Sequence, residues 1–363
     1  MKSLSIKLGN QKSSVIFSSK DSIIQTILKR NEYLGCSSYL IVCDENVAPL
    51  FKHDSHNTFV LPSGESSKNY SSIMAILSYA LQKGLTRNSL FIGVGGGVIC
   101  DMCAFAASIY KRGVKLALVP TTLLSMVDAS IGGKTGIDFE GYKNQVGTFY
   151  PAQVIAVCSD FLDTLCYEQY RSGLGEVIKS ALLRDKKLLY ILFKMSDKIK
   201  AKDKALLEEI IFRTIFVKAY YVTKDFTEQN IRAHLNLGHS FAHSLEAYYE
   251  CGSANTVVSH GDAVAWGLLQ ANRLAQFYYA HEPKTVNRLK SNYKELLSLL
   301  KEYGFPLDFS TVDRDALIFA MKKDKKNIDT KIRFVIQKEF HKSLLIDLDQ
   351  NQLKEFDFTL PLN

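Results

Sequence analysis

Along its first half the chain alternates apolar runs with helix-spaced apolar positions. SYLIVCD (38–44), NTFVLPSGE (57–65), SLFIGVGGG (89–97), VKLALVPTT (114–122) and QVIAVCSD (153–160) are runs of the kind that strands buried on both faces show. SSIMAILSYALQKG (71–84) has helical spacing and closes on glycine, and a second helix is expected from the glycines at 95–97 through Tyr110. This alternation predicts a parallel sheet covered by helices. From about Arg171 the period changes to long amphipathic helices, expected at 173–195, 203–225, 238–250, 261–279 and 284–303. The expected architecture is α/β: a parallel-sheet domain over 1–170, then an all-α domain over 171–363, with the active site in the cleft between them.

Composition narrows the classes. The 363 residues are 47% hydrophobic and 23% charged, which suits about two globular domains. No apolar run reaches the roughly 18 residues of a membrane span, so no membrane association is expected. The opening MKSLSIKLGNQKSSVIF alternates like a strand and lacks the apolar core of a signal peptide. Seven cysteines, an odd number at irregular spacing, point to a reducing cytoplasm rather than a disulfide framework. The net charge of +8 is dispersed apart from KKDKKNIDTK (322–331), without the aromatic interleaving of a nucleic-acid surface. The excess is either a solvated surface or a match to a small anionic substrate.

Candidate chemistry collects in four places. GVGGGVICD (93–101) follows a strand and opens a helix, where backbone N–H groups favour a phosphate, although Val98 takes the third glycine position of G-x-G-x-x-G. Asp44, Thr121 and Thr122 end strands on the same carboxyl edge, as a dinucleotide crevice requires. Cys100 and Cys103 read as helix packing. Residues 121–148 hold Asp128, Lys134, Lys143 and Asn144 among five glycines, either an exposed loop or an anion site. RSGLGEVIKSALL (171–183) puts Glu176 and Lys179 on one helical face; if buried, that carboxylate needs a partner or a metal. LNLGHSFAH (235–243) puts His239 and His243 on one face, and His260 starts another helix in SHGDAVAWG. Glu176, His239 and His260 would make a catalytic zinc site with an open position, with His243 either a further ligand or a neighbour of the ligands. The residues alone point to a metal- and dinucleotide-using enzyme.

The motifs PSGESSK, GGGVICD, YKRG, PTTLLSMVDASIGGKTGID, KNQVGTFYP, GLGEVIKS, RAHLNLGHSFAH and SHGDAVAWG make the chain resemble the 3-dehydroquinate synthases of the sugar phosphate cyclase superfamily, from about Asp44 through DKK at 324–326. The resemblance implies a Rossmann-like first domain and metal ligands Glu176, His239 and His260, holding Zn2+ or Co2+. It implies NAD contacts at Asp44, Asn46, Ser63, Gly64, Glu65, Ser66, Ser67, Lys68, Gly96, Gly97, Val98, Ile99, Cys100 and Asp101. Further NAD contacts are implied at Thr121, Thr122, Lys134, Lys143, Phe161, Leu162, Asp163 and Thr164. Substrate residues are implied at Arg112, Asp128, Lys134, Asn144, Lys179, Lys218, Arg232, Asn236 and His243, and at Lys325 in preference to Lys326. A homodimer with Arg112 reaching the neighbouring subunit's phosphate site is implied as well.

The implied reaction turns 3-deoxy-D-arabino-heptulosonate 7-phosphate into 3-dehydroquinate and phosphate, within the shikimate route to aromatic amino acids. Its implied course is oxidation of a ring hydroxyl by NAD, phosphate elimination, re-reduction, ring opening and intramolecular aldol closure, with no net redox. The alternatives are a sugar phosphate cyclase using a neutral sugar phosphate, a metal-dependent polyol dehydrogenase, or a silent nucleotide-binding regulator. Two departures stand out. Gln169 replaces a glutamate usual in relatives, which predicts a tuned site, and Gly175 replaces an alanine, which predicts a slightly loosened helix start.

Overall fold

The computed structural model of the chain describes residues 3–251, 258–309, 311–322 and 331–356. The order begins β1 (Ser3–Leu8), β2 (Gln11–Phe17), α1 (Ile23–Leu34), β3 (Ser38–Asp44), β4 (Thr58–Leu61), α2 (Tyr70–Gln82), β5 (Ser89–Gly95), α3 (Gly97–Ile109) and β6 (Lys115–Pro120). It continues with β7 (Ile137–Phe139), β8 (Tyr142–Val146), β9 (Val154–Val157), α4 (Tyr167–Arg184), α5 (Lys186–Lys194), α6 (Ser196–Lys200) and α7 (Lys204–Lys224). Then follow α8 (His239–Cys251), α9 (His260–Tyr278), α10 (Pro283–Glu302), α11 (Arg314–Lys322), β10 (Ile332–Glu339), β11 (Lys342–Leu348) and α12 (Gln350–Glu355).

Seven strands form one sheet in the order β1-β2-β9-β6-β5-β3-β4. Every neighbouring pair runs parallel except β1 with β2. The central strands β5 and β9 are buried along their whole length, which is why they read as unbroken apolar runs. Asn69 starts α2 by accepting from the Ser72 N–H (3.0 Å), and Gly84, at φ 66°, follows its end.

The chain divides into two compact units, one of Met1–Cys166 with Leu207–Thr227 and one of Tyr167–Leu206 with Glu228–Asn363. A contiguous cut at 170/171 does not reproduce this grouping, because α7 belongs with the first unit. There Phe212 packs on Phe17 of β2, with ring centroids 6.3 Å apart. Periodicity shows that a helix buries a face but not against what.

The second unit is helical but not all-α: β10 and β11 pair as an antiparallel hairpin. The reason lies at the end of α4, whose last carbonyls lack helical partners. The Leu182 carbonyl accepts from the His341 N–H (2.8 Å) and from the Gln337 side-chain amide Nε2 (2.9 Å), both on the hairpin. The helix expected over 173–195 is two helices, because the Asp185 side chain accepts from the Leu188 N–H (2.9 Å) and starts α5 afresh. Between Thr121 and Thr148 lies the hairpin β7–β8, whose turn residues Glu140 and Gly141 are both left-handed (φ 49° and 78°), as a tight hairpin turn needs. Among the described residues no helix is long and apolar enough to cross a membrane.

Candidate active site

In the second unit, three helices approach one another where glycines permit it, and each close approach adjoins a candidate ligand. A Cβ on Gly175 of α4 would lie 2.6 Å from the Gly261 carbonyl oxygen, and one on Gly261 of α9 would overlap the Ser172 carbonyl. Glu176 follows the first glycine and His260 precedes the second. Gly238, at φ 80°, sits against Gly267 of α9 in the same manner, and His239 follows it. Gly175 is therefore not a loosened helix start; the α4–α9 crossing leaves no room for an alanine methyl. Two polar contacts hold this crossing. Ser172 Oγ accepts from the Gly261 N–H (3.0 Å), and Arg171 grips Asp262 through two N–H···O bonds of 2.8 and 2.9 Å.

One nitrogen of each histidine and one carboxylate oxygen of Glu176 lie within 4.8 Å of one another. His239 Nε2 is 3.3 Å and His260 Nε2 3.2 Å from Glu176 Oε1. The other ring nitrogens have partners of their own: His239 Nδ1 lies 3.3 Å from the Leu237 carbonyl and His260 Nδ1 3.2 Å from Glu246 Oε1. Both Nε2 atoms thus face the carboxylate. Glu176 is 1% exposed, and its Oε2, 2.5 Å from Lys179 Nζ, has no hydrogen-bond partner of suitable angle. Burial pushes the Glu176 carboxyl up, but Lys179 and the two histidines outweigh it and hold it well below the usual carboxylate range. Burial, with help from Lys179, depresses His239 to about 3. Burial also opposes charge on His260, but Glu176 and Glu246 lift it to about 10. A buried, ionised carboxylate with two imidazoles aimed at it fits a divalent cation with a free coordination position.

His243 lies beside the trio, its ring 5.4 Å from that of His239 and 6.5 Å from that of His260. Lys179 is buried and Arg232 is 3% exposed within the turn Ile231–Asn236. Asn236 donates to Glu228 Oε1 (2.8 Å). Sequence reasoning missed two acids here. Glu246 stands seven residues after His239, on the same helical face, and that spacing could have found it. Glu228 carries no periodic signal. Lys325 and its neighbour Lys326 lie outside the described residues.

The first unit collects the other predicted residues at the carboxyl edge of its parallel strands. Asp44 ends β3, and its Oδ1 accepts from the Asn46 and Val47 N–H groups, each at 3.0 Å. Ser63, Gly64, Glu65, Ser66, Ser67 and Lys68 follow β4, with Ser67 Oγ donating to the Pro62 carbonyl. A Cβ on Gly95 would lie 2.6 Å from Ile99 Cβ, so the bare backbone is what lets α3 start against β5. Gly96, Gly97 and Val98 are part-exposed at that helix start, while Ile99 and Cys100 are buried beneath. Thr121 and Thr122 follow β6, and Phe161, Leu162, Asp163 and Thr164 form a turn after β9 with the first two buried. Cys103 is buried against Gly93, in keeping with a packing role.

Two ion pairs tie the polar residues of this unit together. Lys68 Nζ donates to Asp101 (2.8 Å) and to Asn144 Oδ1 (2.6 Å), joining an expected NAD contact to an expected substrate contact. Burial lowers the Lys68 ammonium, but Asp101 more than restores it; burial raises Asp101 in spite of Lys68. Lys218 Nζ, on α7, donates to Asp128 through both its Oδ1 (2.6 Å) and its backbone carbonyl (2.7 Å). Lys134, Lys143 and Arg112 are exposed. Arg112 and the preceding Lys111 are both left-handed (φ 66° and 49°).

The first unit has a helix opened by glycines at its parallel-sheet edge, which favours an anion, and the second a buried carboxylate–diimidazole trio that fits a divalent cation, the features of a cofactor- and metal-using class of enzyme. Models of the 3-dehydroquinate synthase N-terminal and C-terminal regions match residues 58–172 and 173–327. The 3-dehydroquinate synthase of Pseudoalteromonas translucida is 33% identical over 324 residues, covering 87% of this chain and 88% of that protein. That of Bacillus cytotoxicus is 37% identical over 314 residues, covering 84% and 81%. Among solved structures, a 2-deoxy-scyllo-inosose synthase complexed with carbaglucose-6-phosphate, NAD+ and Co2+ superposes with TM-score 0.79 at 20% identity, covering 98% of each chain. A 2-epi-5-epi-valiolone synthase from Streptomyces hygroscopicus, with NAD+ and Zn2+ bound, gives 0.78 at 22% identity, covering 98% of this chain and 96% of that one. The chain belongs to the 3-dehydroquinate synthase family and is an enzyme of it.

Proposed function

We propose that the protein converts 3-deoxy-D-arabino-heptulosonate 7-phosphate to 3-dehydroquinate and phosphate, with NAD and one Zn2+ or Co2+ per subunit. The observation that carries this reading is the buried trio Glu176, His239 and His260 with the Lys179 ammonium beside it. Glu176, His239 and His260 would hold the cation, and Asp44, the 96–98 backbone and the turn after β9 would hold NAD. When bound, the cation supplies Lewis-acid polarisation of a substrate hydroxyl and NAD a reversible hydride acceptor. Lys134, Lys179, Lys218 and Arg232 supply positive charge to the substrate's phosphate and carboxylate, and charge placed near the departing phosphate favours its loss. Lys68, bonded to both Asp101 and Asn144, orders the Asn144 amide for substrate contact. His243, next to the trio, holds and moves a proton at its imidazole.

The proposal includes a homodimer in which Arg112 reaches the phosphate of the neighbouring subunit's site. Two successive left-handed residues of ordinary type cost about 1–2 kcal/mol each, and their retention at an exposed arginine supports a function there. The test is to incubate the protein with the heptulosonate phosphate, NAD and zinc. Phosphate should accumulate while the NADH absorbance stays nearly flat. NADH accumulating in step with product would replace this reading with a dehydrogenase.

A further inference from the structure

Helix α8 presents three polar side chains at successive turns: His239, His243 and Glu246, four and then three residues apart. Two belong to the site already described. The third points to the same place, for Glu246 Oε1 lies 3.2 Å from His260 Nδ1 and its side chain is only 13% exposed. A carboxylate this buried is costly unless bonded, so its placement is a constraint on the fold and not an accident of the surface. His260 is gripped on opposite edges of its ring, by Glu246 at Nδ1 and facing Glu176 at Nε2. His239 has the same arrangement with a weaker outer partner, the neutral Leu237 carbonyl.

We infer that Glu246 is a positioning residue for the metal centre: it accepts a hydrogen bond from the Nδ1–H of His260, so that the tautomer with its lone pair on Nε2 faces the cation, and it fixes the plane of the ring. Helix α8 brings Glu246 directly to this nitrogen.

This inference rests on the proposed metal site, and the experiment separates the two. Zinc affinity is measured by competition with a chromophoric chelator for the parent, Glu246→Gln and Glu246→Ala, and visible spectra are recorded after cobalt substitution. The alanine variant should bind zinc roughly 10–100-fold more weakly, and its cobalt spectrum should shift. Glutamine, which keeps an acceptor oxygen but not the charge, should fall between, and it carries the test if the alanine variant does not fold. A parent that binds no divalent cation overturns both the metal site and the role of Glu246. A parent that binds zinc, with both variants matching its affinity and cobalt spectrum, overturns the role of Glu246 alone. A lowered melting temperature with an unmoved spectrum and affinity also overturns it, because that marks a purely structural residue.

Discussion

The carboxylate–diimidazole trio of the second unit and the ion-pair set of the first are organised in opposite ways. Around Glu176 the backbone does the positioning, through glycines that adjoin each ligand and admit no side chain. Around Lys68 and Lys218 the side chains do it, with each ammonium already bonded to a carboxylate of the same unit. Close helix crossings suit the proposed coordination site, because metal donors must be held within tenths of an ångström. An anion site can let its lysines exchange one oxygen partner for another as ligand arrives, at little net cost.

The most severe way to break the contrast is to remove a ligand. His239→Ala should abolish stoichiometric zinc and turnover while far-ultraviolet circular dichroism remains that of the parent; full zinc occupancy in that variant would sink the assignment. Next comes subunit mixing. Arg112→Ala and Lys179→Ala homodimers should each be nearly inactive, yet after exchange about half the dimers are mixed and roughly a quarter of all sites should recover. No recovery, with exchange verified, would show that Arg112 acts within its own chain or not at all.

Smaller effects sharpen the comparison. Gly175→Leu must spread α4 from α9, so zinc affinity should fall roughly 10–100-fold and stability by about 1–3 kcal/mol. Lys68→Met, by contrast, should leave zinc untouched and weaken NAD roughly 10–100-fold, the loss of one charge-assisted hydrogen bond, read by titration of intrinsic fluorescence. If Lys68→Met strips zinc, the two sets are not organised independently. The smallest expected effect concerns pH. Burial holds His234 below the ordinary imidazole value of 6.5, beside Ser343 Oγ at 2.8 Å. Its neutral form favours the fold, so this contribution is full above pH 6.5 and is lost as pH falls below it. The melting temperature should drop modestly between about pH 7.5 and about pH 5.5, and His234→Gln should flatten part of that drop.

The strands β3, β5, β6 and β9 were legible because burial on both faces writes them as apolar runs, and α7 to α10 because their periodicity is long. The trio was legible as residue types, since an acid and two histidines at helix positions suggest a metal before any geometry is known. What escaped were features set by approach between segments distant in sequence. Gly175 read as a helix weakener because propensity is local, whereas its role is to meet Gly261. The hairpin Ile332–Leu348 escaped because its turn at His341 (φ 70°) lacks the asparagine–glycine pair that marks such turns. Glu246 shares the helical face of His239 and His243, but its contact with His260 depends on the approach of a second helix, which spacing does not encode.

The division of the chain bears on the order in which it is made. Synthesis passes from one unit to the other three times, at 166/167, 206/207 and 227/228. As the nascent chain emerges, the sheet is complete at β9 but waits for α7, which brings Phe212 to Phe17 and Lys218 to Asp128. At roughly 5–20 residues per second, that wait lasts about 3–13 seconds, during which those two contacts are missing. Glu176 emerges before this interval ends and His239 and His260 only after it, so no metal can be captured until the first unit has its last piece. A fragment ending at Cys166 should therefore be less stable than the whole unit, and a fragment starting at Tyr167 would carry α7 as an orphan.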